Sequence, residues 1–302
     1  MARNNPVSVV MIVAASILWG VIGVFSRHLQ DMGLDAIQVT EVRCIVTSIT
    51  LALVIAVYDR NLLKIKLRDI WMFFGSGVIG IVSFNVLYFE SNNYVPLSTT
   101  AVLLYTAPFF VLILSVVIFK EMLTKQKIIA LVLAFLGCIL IAGILGTGDM
   151  NMYGVILGLG SGVGYALYTI FGKFALKKYH PMTLTFYTFL IAGICLIPFS
   201  DVPVIADVAF NVPDALIWMI SLGVVITTIP YVLYNSGLKG LDAGVASVVA
   251  FSEPMVATIA GFILYNEAPN ASNILGIMLI LAAIILLNID FSKKKEAQES
   301  SS

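Results

Sequence analysis

Residues 98–119 read STTAVLLYTAPFFVLILSVVIF, 22 positions without one charged side chain, and Lys120-Glu121 follow at once. An α-helix rises about 1.5 Å per residue, so such a run covers about 30 Å, the thickness of a bilayer's hydrocarbon core. Its apolar residues are continuous rather than alternating with polar ones, which predicts a membrane helix and not a barrel strand. Working outward, the same reading predicts ten spans at about 7–27, 37–57, 70–91, 98–119, 127–145, 152–173, 183–200, 214–237, 243–265 and 271–290. Hydrophobic residues make up 60% of the 302 and charged residues 11%, too few to clothe a soluble core of this size. The expected fold class is therefore an all-α membrane protein. The opening segment could imitate a cleavable leader, but its apolar run continues to Phe25, so it is read as the first span.

Loop charges orient the chain. With the N-terminus inside, Arg3, Arg60, Lys64, Lys66, Arg68, Lys120, Lys125, Lys127, Lys173, Lys177, Lys178, Lys239 and Lys293–Lys295 share the cytoplasmic side, 15 of the 17 basic residues. Arg27 lies at the outer boundary and Arg43 within the second span. An N-in, C-in topology with an even number of spans follows. The net charge is zero, which gives no sign of nucleic-acid binding.

Sliding the chain over itself by 146 positions pairs Phe25 with Phe171, Arg27 with Lys173, Val86-Leu87-Tyr88 with Val232-Leu233-Tyr234, Pro108 with Pro254, and Glu121 with Glu267. Each half then holds five spans, an odd number, so the halves insert in opposite orientations. The expected organisation is a first repeat over 1–146, a second over 147–292 and a cytoplasmic tail over 293–302. Inverted repeats of this kind build many secondary transporters, in which two halves rock about a midplane site.

At this point the sequence resembles the EamA branch of the drug/metabolite transporter superfamily, over about residues 7–290. The resemblance rests on Leu18-Trp19-Gly20 with Arg27, on Arg43, on Ala107-Pro108 with Phe119-Lys120-Glu121 and Gln126, and on their second copy, Ser252-Glu253-Pro254, Tyr265-Asn266-Glu267 and Leu275-Gly276. It implies a central cavity lined by spans 1, 3, 4, 6, 8 and 9, and export of amino acids, other small metabolites or drugs. Glu90 departs from the family's small residue near the outer end of span three.

A charge at a helix centre costs about 2.5–3.5 kcal/mol on insertion scales, so membrane-embedded ionisable groups are site candidates. Glu253 stands midway along span nine before Pro254, whose missing N–H leaves a carbonyl unpaired. It is the expected substrate-amine or proton ligand. Trp19, Asn85, Tyr88, Tyr105, Tyr165, Tyr168, Tyr231, Tyr234 and Asn235 are the expected cavity residues, several of them related by the 146 offset. Arg43 with Glu41 and Glu90 is expected to form an outer ion pair or gate, while Glu121 and Glu267 are boundary or gate residues. Tyr94 reads as an interface anchor. Gly154, Gly158, Gly160, Gly162 and Gly164 form small-xxx-small patterns for close helix approach. They do not fit a dinucleotide fingerprint. Pro108, Pro230 and Pro254 mark kinks.

Cys44, Cys138 and Cys195 have no metal or disulfide spacing. His28 and His180 fall on opposite sides, and no catalytic constellation or nucleotide cassette is present, so neither an enzyme nor an ATP-driven pump is expected. No cofactor or metal is expected. The expected partners are a small-molecule substrate and the lipid bilayer, with proton coupling and a homodimer left open. The expected setting is a prokaryotic plasma membrane. A multidrug exporter, a lipid translocator and a passive channel stand as alternatives to a metabolite exporter.

Overall fold

The computed structural model describes residues 5–143, 151–264 and 270–288, and among these every regular element is helical. Nine segments are long and apolar enough to cross a membrane: Pro6–Asp31, Ala36–Tyr58, Leu67–Ser91, Leu97–Phe119, Lys125–Ala142, Met152–Leu176, Pro181–Phe199, Ala215–Gly240 and Ala243–Ile263. They are called spans one to nine below. A final apolar helix, Ala271–Asn288, packs along span five. The expected stretch around Tyr265, Asn266 and Glu267, and Lys293–Lys295, lie outside the described residues.

Local sequence sets the ends of these helices. Asn5 Oδ1 accepts from Val7 N (3.1 Å), and Asp35 and Gln38 form a reciprocal capping box at 2.7 and 2.8 Å. Thr124 Oγ1 caps span five through Lys127 N at 3.2 Å. Span four stops at Lys120 (φ 55°) and span five at Gly143 (φ 65°), both left-handed closures. Span one runs past its expected end and breaks at Val21, between helices Pro6–Gly20 and Ile22–Asp31. Between spans seven and eight a short helix, Val202–Asn211, tucks Ile205 and Val208 against Leu29, Val39 and Met219.

Four further interruptions fall in pairs. Span three passes through a π-helical segment, Gly75–Val82, and span eight through another, Val224–Thr228; their last residues are 146 positions apart. Widened turns leave carbonyls misaligned, and hydroxyls five residues on collect them: Ser83 on Val78 O (3.0 Å), Thr227 on Leu222 O (2.9 Å) and Thr228 on Gly223 O (2.8 Å). Span four divides into Leu97–Leu104 and Ala107–Phe119, and span nine into Ala243–Val249 and Ser252–Leu264. Pro108, Pro230 and Pro254 each open the helix after such an interruption, as expected of residues that cannot donate to the preceding turn.

Small residues let the spans touch. A Cβ on Gly158 would lie 2.6 Å from Leu103, and on Gly154, 2.6 Å from Tyr94, so span six packs directly on span four and the turn before it. Span five and the final helix meet backbone to backbone at Gly137 and Gly276.

The lysine-bearing helix ends meet at one end of the bundle. There Lys127 Nζ pairs with Asp242 (2.8 Å), Lys178 Nζ with Asp69 (2.7 Å), and Lys173 Nζ reaches the carbonyls of Leu238 and Leu241. At the other end Ser91 Oγ donates to Gly154 O (2.8 Å), Ser272 Oγ to Leu140 O (2.8 Å), and His28 stacks on Trp218 (4.1 Å).

Candidate functional site

The paired breaks of spans four and nine bring their ragged helix ends together. Ala250 and Phe251 separate the halves of span nine, Ser252 Oγ recovers the carbonyl of Val249 at 2.8 Å, and Glu253 follows in the first turn. Tyr105 stands in the break of span four, its ring 6.0 Å from that of Phe251, and its hydroxyl donates to Glu253 Oε1 at 3.5 Å, a long bond. Tyr88, Tyr165 and Cys138 are within electrostatic range of the same carboxylate, as is the opposing charge of the Arg43 guanidinium. Glu253, Tyr88, Tyr105 and Tyr165 all keep part of their surface open, although they sit at mid-span between helices. A partly open, mid-span carboxylate bonded to a tyrosine makes Glu253 the candidate site.

The other expected cavity residues form a second, closed cluster. Trp19, Tyr168 and Phe189 each meet Tyr231 edge-on (4.9, 5.5 and 4.7 Å), and Trp19 also packs tilted against Tyr234 (5.4 Å). Tyr168 OH donates to Asn235 Oδ1 (3.1 Å), Asn235 Nδ2 to Thr185 (3.0 Å), and Thr169 shares a hydrogen bond with Tyr234 (3.0 Å). All five of Trp19, Tyr168, Tyr231, Tyr234 and Asn235 are buried. Their polar atoms find partners within the cluster or on the threonines and Arg43 around it, except the Trp19 indole N–H, which has no acceptor among the described residues. They are buried between spans one, six, seven and eight as a floor cluster packed on itself. Asn85 is buried as well and donates to Ile81 O of its own helix (2.7 Å).

The expected ion pair of Arg43 with Glu41 or Glu90 does not form among the described residues. Arg43 Nε donates to Thr227 Oγ1 at 3.1 Å and the guanidinium lies beside Tyr231, at the back of the floor cluster. Residues two apart on a helix point to different faces, so Glu41 cannot turn toward Arg43. Instead Glu41 is 1% exposed, packs against Gly193 of span seven, and leaves its Oε2 without a hydrogen bond. Glu90 is held at the end of span three by Asn93 Nδ2 (3.1 Å) and sits next to Tyr94. That negative charge, with some burial, holds the Tyr94 hydroxyl above the usual tyrosine range. Tyr94 itself is exposed and edge-on to Tyr153 (4.9 Å), consistent with an anchor.

Glu121 takes the boundary position expected of it. Its carboxylate accepts from Ala243 N (2.8 Å) and Gly244 N (3.3 Å), tying the end of span four to the start of span nine. Sequence reasoning missed Asp242, Lys127, Thr185 and Thr227. The Lys127–Asp242 pair spans 115 positions and no motif links its members. The threonines read as helix filler until a neighbouring span gives them a partner.

Comparison with known proteins agrees with this architecture. The pattern of the EamA-like transporter family matches twice, over residues 7–143 and 152–289. An uncharacterized transporter of Archaeoglobus fulgidus is 29% identical, covering 84% of this chain and 89% of the relative. Uncharacterized transporter YxxF of Bacillus subtilis is 26% identical, covering 94% and 90%. One crystal structure superposes with a TM-score of 0.78 at 14% identity, covering 93% of this chain and 96% of that one, a likeness of fold. With the family pattern matched across both halves of the chain, this membrane protein belongs to the EamA-like transporter family.

Proposed function

We propose that the chain is a secondary transporter that exports small metabolites, amino acids first among them, by alternating access around Glu253. The observation that carries this reading is the carboxylate itself, held at mid-span in a helix break, ringed by Tyr88, Tyr105 and Tyr165, and still reachable. An amine suits it as a ligand, and so does a proton. The two family matches, the paired π-helical segments and the paired breaks support ten spans arranged as two inverted five-helix repeats, with the final helix as the tenth. The gathering of lysines at one end supports an N-in, C-in orientation in a plasma membrane.

In that orientation the described conformation is closed toward the cytoplasm. Every residue from Ala243 to Phe251 is buried, and Glu121, Lys127 and Lys173 fasten the surrounding helices over them. The helix Leu97–Leu104 in span four is only half-buried, which suits an opening on that side in this reading. The aromatic wall equally suits a drug-sized cargo, which makes a multidrug exporter the second reading.

The test is flux in proteoliposomes against a panel of amino acids, with and without an imposed pH gradient, for wild type and Glu253→Gln. The expected result is saturable counterflow of one chemical class, and loss of gradient-driven uptake with exchange retained in the variant. A variant indistinguishable from wild type in every condition would remove Glu253 from the site. Absence of any amino-acid flux would move the cargo to drugs.

A further inference from the structure

A surface recess that does not include Glu253 opens where spans three, six and seven meet. It encloses about 570 Å³ and is walled by Ile70, Trp71, Phe74, Ile79, Phe171 and Ile191, all apolar. Its floor is Gly75, at the start of the π-helical segment, where an added Cβ would strike the Phe171 ring. Trp71 stands edge-on to Phe171 (6.0 Å) and Phe174 (5.4 Å) as one wall. From Ile70 to Ile79 the groove runs about 14 Å along span three, close to half of a hydrocarbon core of about 30 Å. Its length is thus that of one leaflet.

The mouth of the groove is basic. Arg68 precedes Ile70 in the turn that starts span three; it is exposed and has no ion pair among the described residues. Lys177, also exposed, lies over the rings of Phe119 (4.6 Å) and Phe174 (5.5 Å), next to Trp71. The neighbouring carboxylate, Asp69, is hydrogen-bonded by Lys178 Nζ at 2.7 Å and Tyr179 OH at 2.8 Å, so it makes its ion pair with Lys178 rather than with Arg68 or Lys177. An apolar slot one leaflet long beside two exposed cations has the charge and shape complement of an anionic phospholipid.

We propose that this groove is a binding site for an anionic phospholipid, one acyl chain lying along Trp71 and Ile79 and the phosphate held between Arg68 and Lys177. The site is separate from the cargo path and stands whatever the cargo is. An aromatic wall and two exposed cations distinguish it from ordinary lipid contact, which needs neither.

The three tryptophans supply the test, since brominated acyl chains quench only an indole that they touch. The full chain is placed in phosphatidylcholine nanodiscs with a graded fraction of brominated phosphatidylglycerol, or of brominated phosphatidylcholine as control. The Trp71 signal is taken as the difference from Trp71→Phe. Brominated phosphatidylglycerol is expected to quench that signal at a lower mole fraction than the control, by about fivefold for each basic residue. The double variant Arg68→Gln/Lys177→Gln is expected to abolish the preference, and Ile191→Phe, which narrows the slot, to weaken quenching by both lipids. Equal quenching by the two lipids in wild type would overturn the proposal. So would a preference that survives the double variant, or quenching untouched by Ile191→Phe.

Discussion

Spans four and nine are the same piece of backbone used twice. Each breaks after about two turns, each resumes with a proline near the start, and the broken positions match to within one residue of the 146 offset. Their side chains differ where they meet. Span four brings Tyr105, Thr106 and Ala107; span nine brings Phe251, Ser252 and Glu253 at the matching positions. Ala107 is 1% exposed, whereas Glu253 keeps part of its surface open. The first piece of span nine is buried throughout, while that of span four is partly exposed. Duplication has preserved the break, a backbone device that frees carbonyls and makes room. The chemistry and the open end come from the asymmetry laid on it.

The comparison breaks most visibly if Ala107→Glu is tolerated. A carboxylate in that packed position has no cavity to face, and the expected cost is about 2.5–3.5 kcal/mol, read as a lowered Tm and folded yield in detergent. A variant as stable as wild type would mean that span four also borders open space.

A smaller effect is expected at the sealed end. Glu121→Ala leaves the N–H groups of Ala243 and Gly244 without their acceptor, a loss of about 1–3 kcal/mol. Labelling of Val248→Cys, buried in the first piece of span nine, should then accelerate about tenfold or more from the lysine-bearing side. Unchanged labelling would show that Glu121 does not hold that end shut.

The smallest effect sharpens the comparison instead. Tyr105→Phe makes the two break residues chemically alike and removes the 3.5 Å bond to Glu253. A bond of that length warrants about 0.5–1.5 kcal/mol at most, so KM for the cargo should rise no more than about tenfold with little change in kcat. A collapse of kcat would make Tyr105 part of the moving machinery rather than a ligand.

Much of the fold is legible because the bilayer simplifies the reading. A run such as 98–119 has no other stable place to go, and Pro108 and Pro254 announce the breaks because proline cannot donate to the preceding turn. The site is half legible. Glu253 stands out because a charge among apolar residues needs a reason, and Tyr105, Tyr88 and Tyr165 do gather around it. Tyr168, Tyr231, Tyr234 and Asn235 have the same composition and similar depth, yet they close on one another as core. Tyrosine serves equally as packing and as lining, and which one applies depends on the helix opposite.

Arg43 makes the same point for charge. Its sequence places it near two carboxylates, and its helix face gives it to Thr227 and Tyr231 instead. By itself the sequence determines an apolar helical chain with doubled architecture, lysines at one end and a mid-span carboxylate, since these follow from properties summed along one dimension. Only the tertiary structure decides which tyrosines gather near Glu253, which close on one another and where Arg43 points. Those depend on contacts between helices whose rotation about their own axes a continuously apolar sequence leaves almost unspecified.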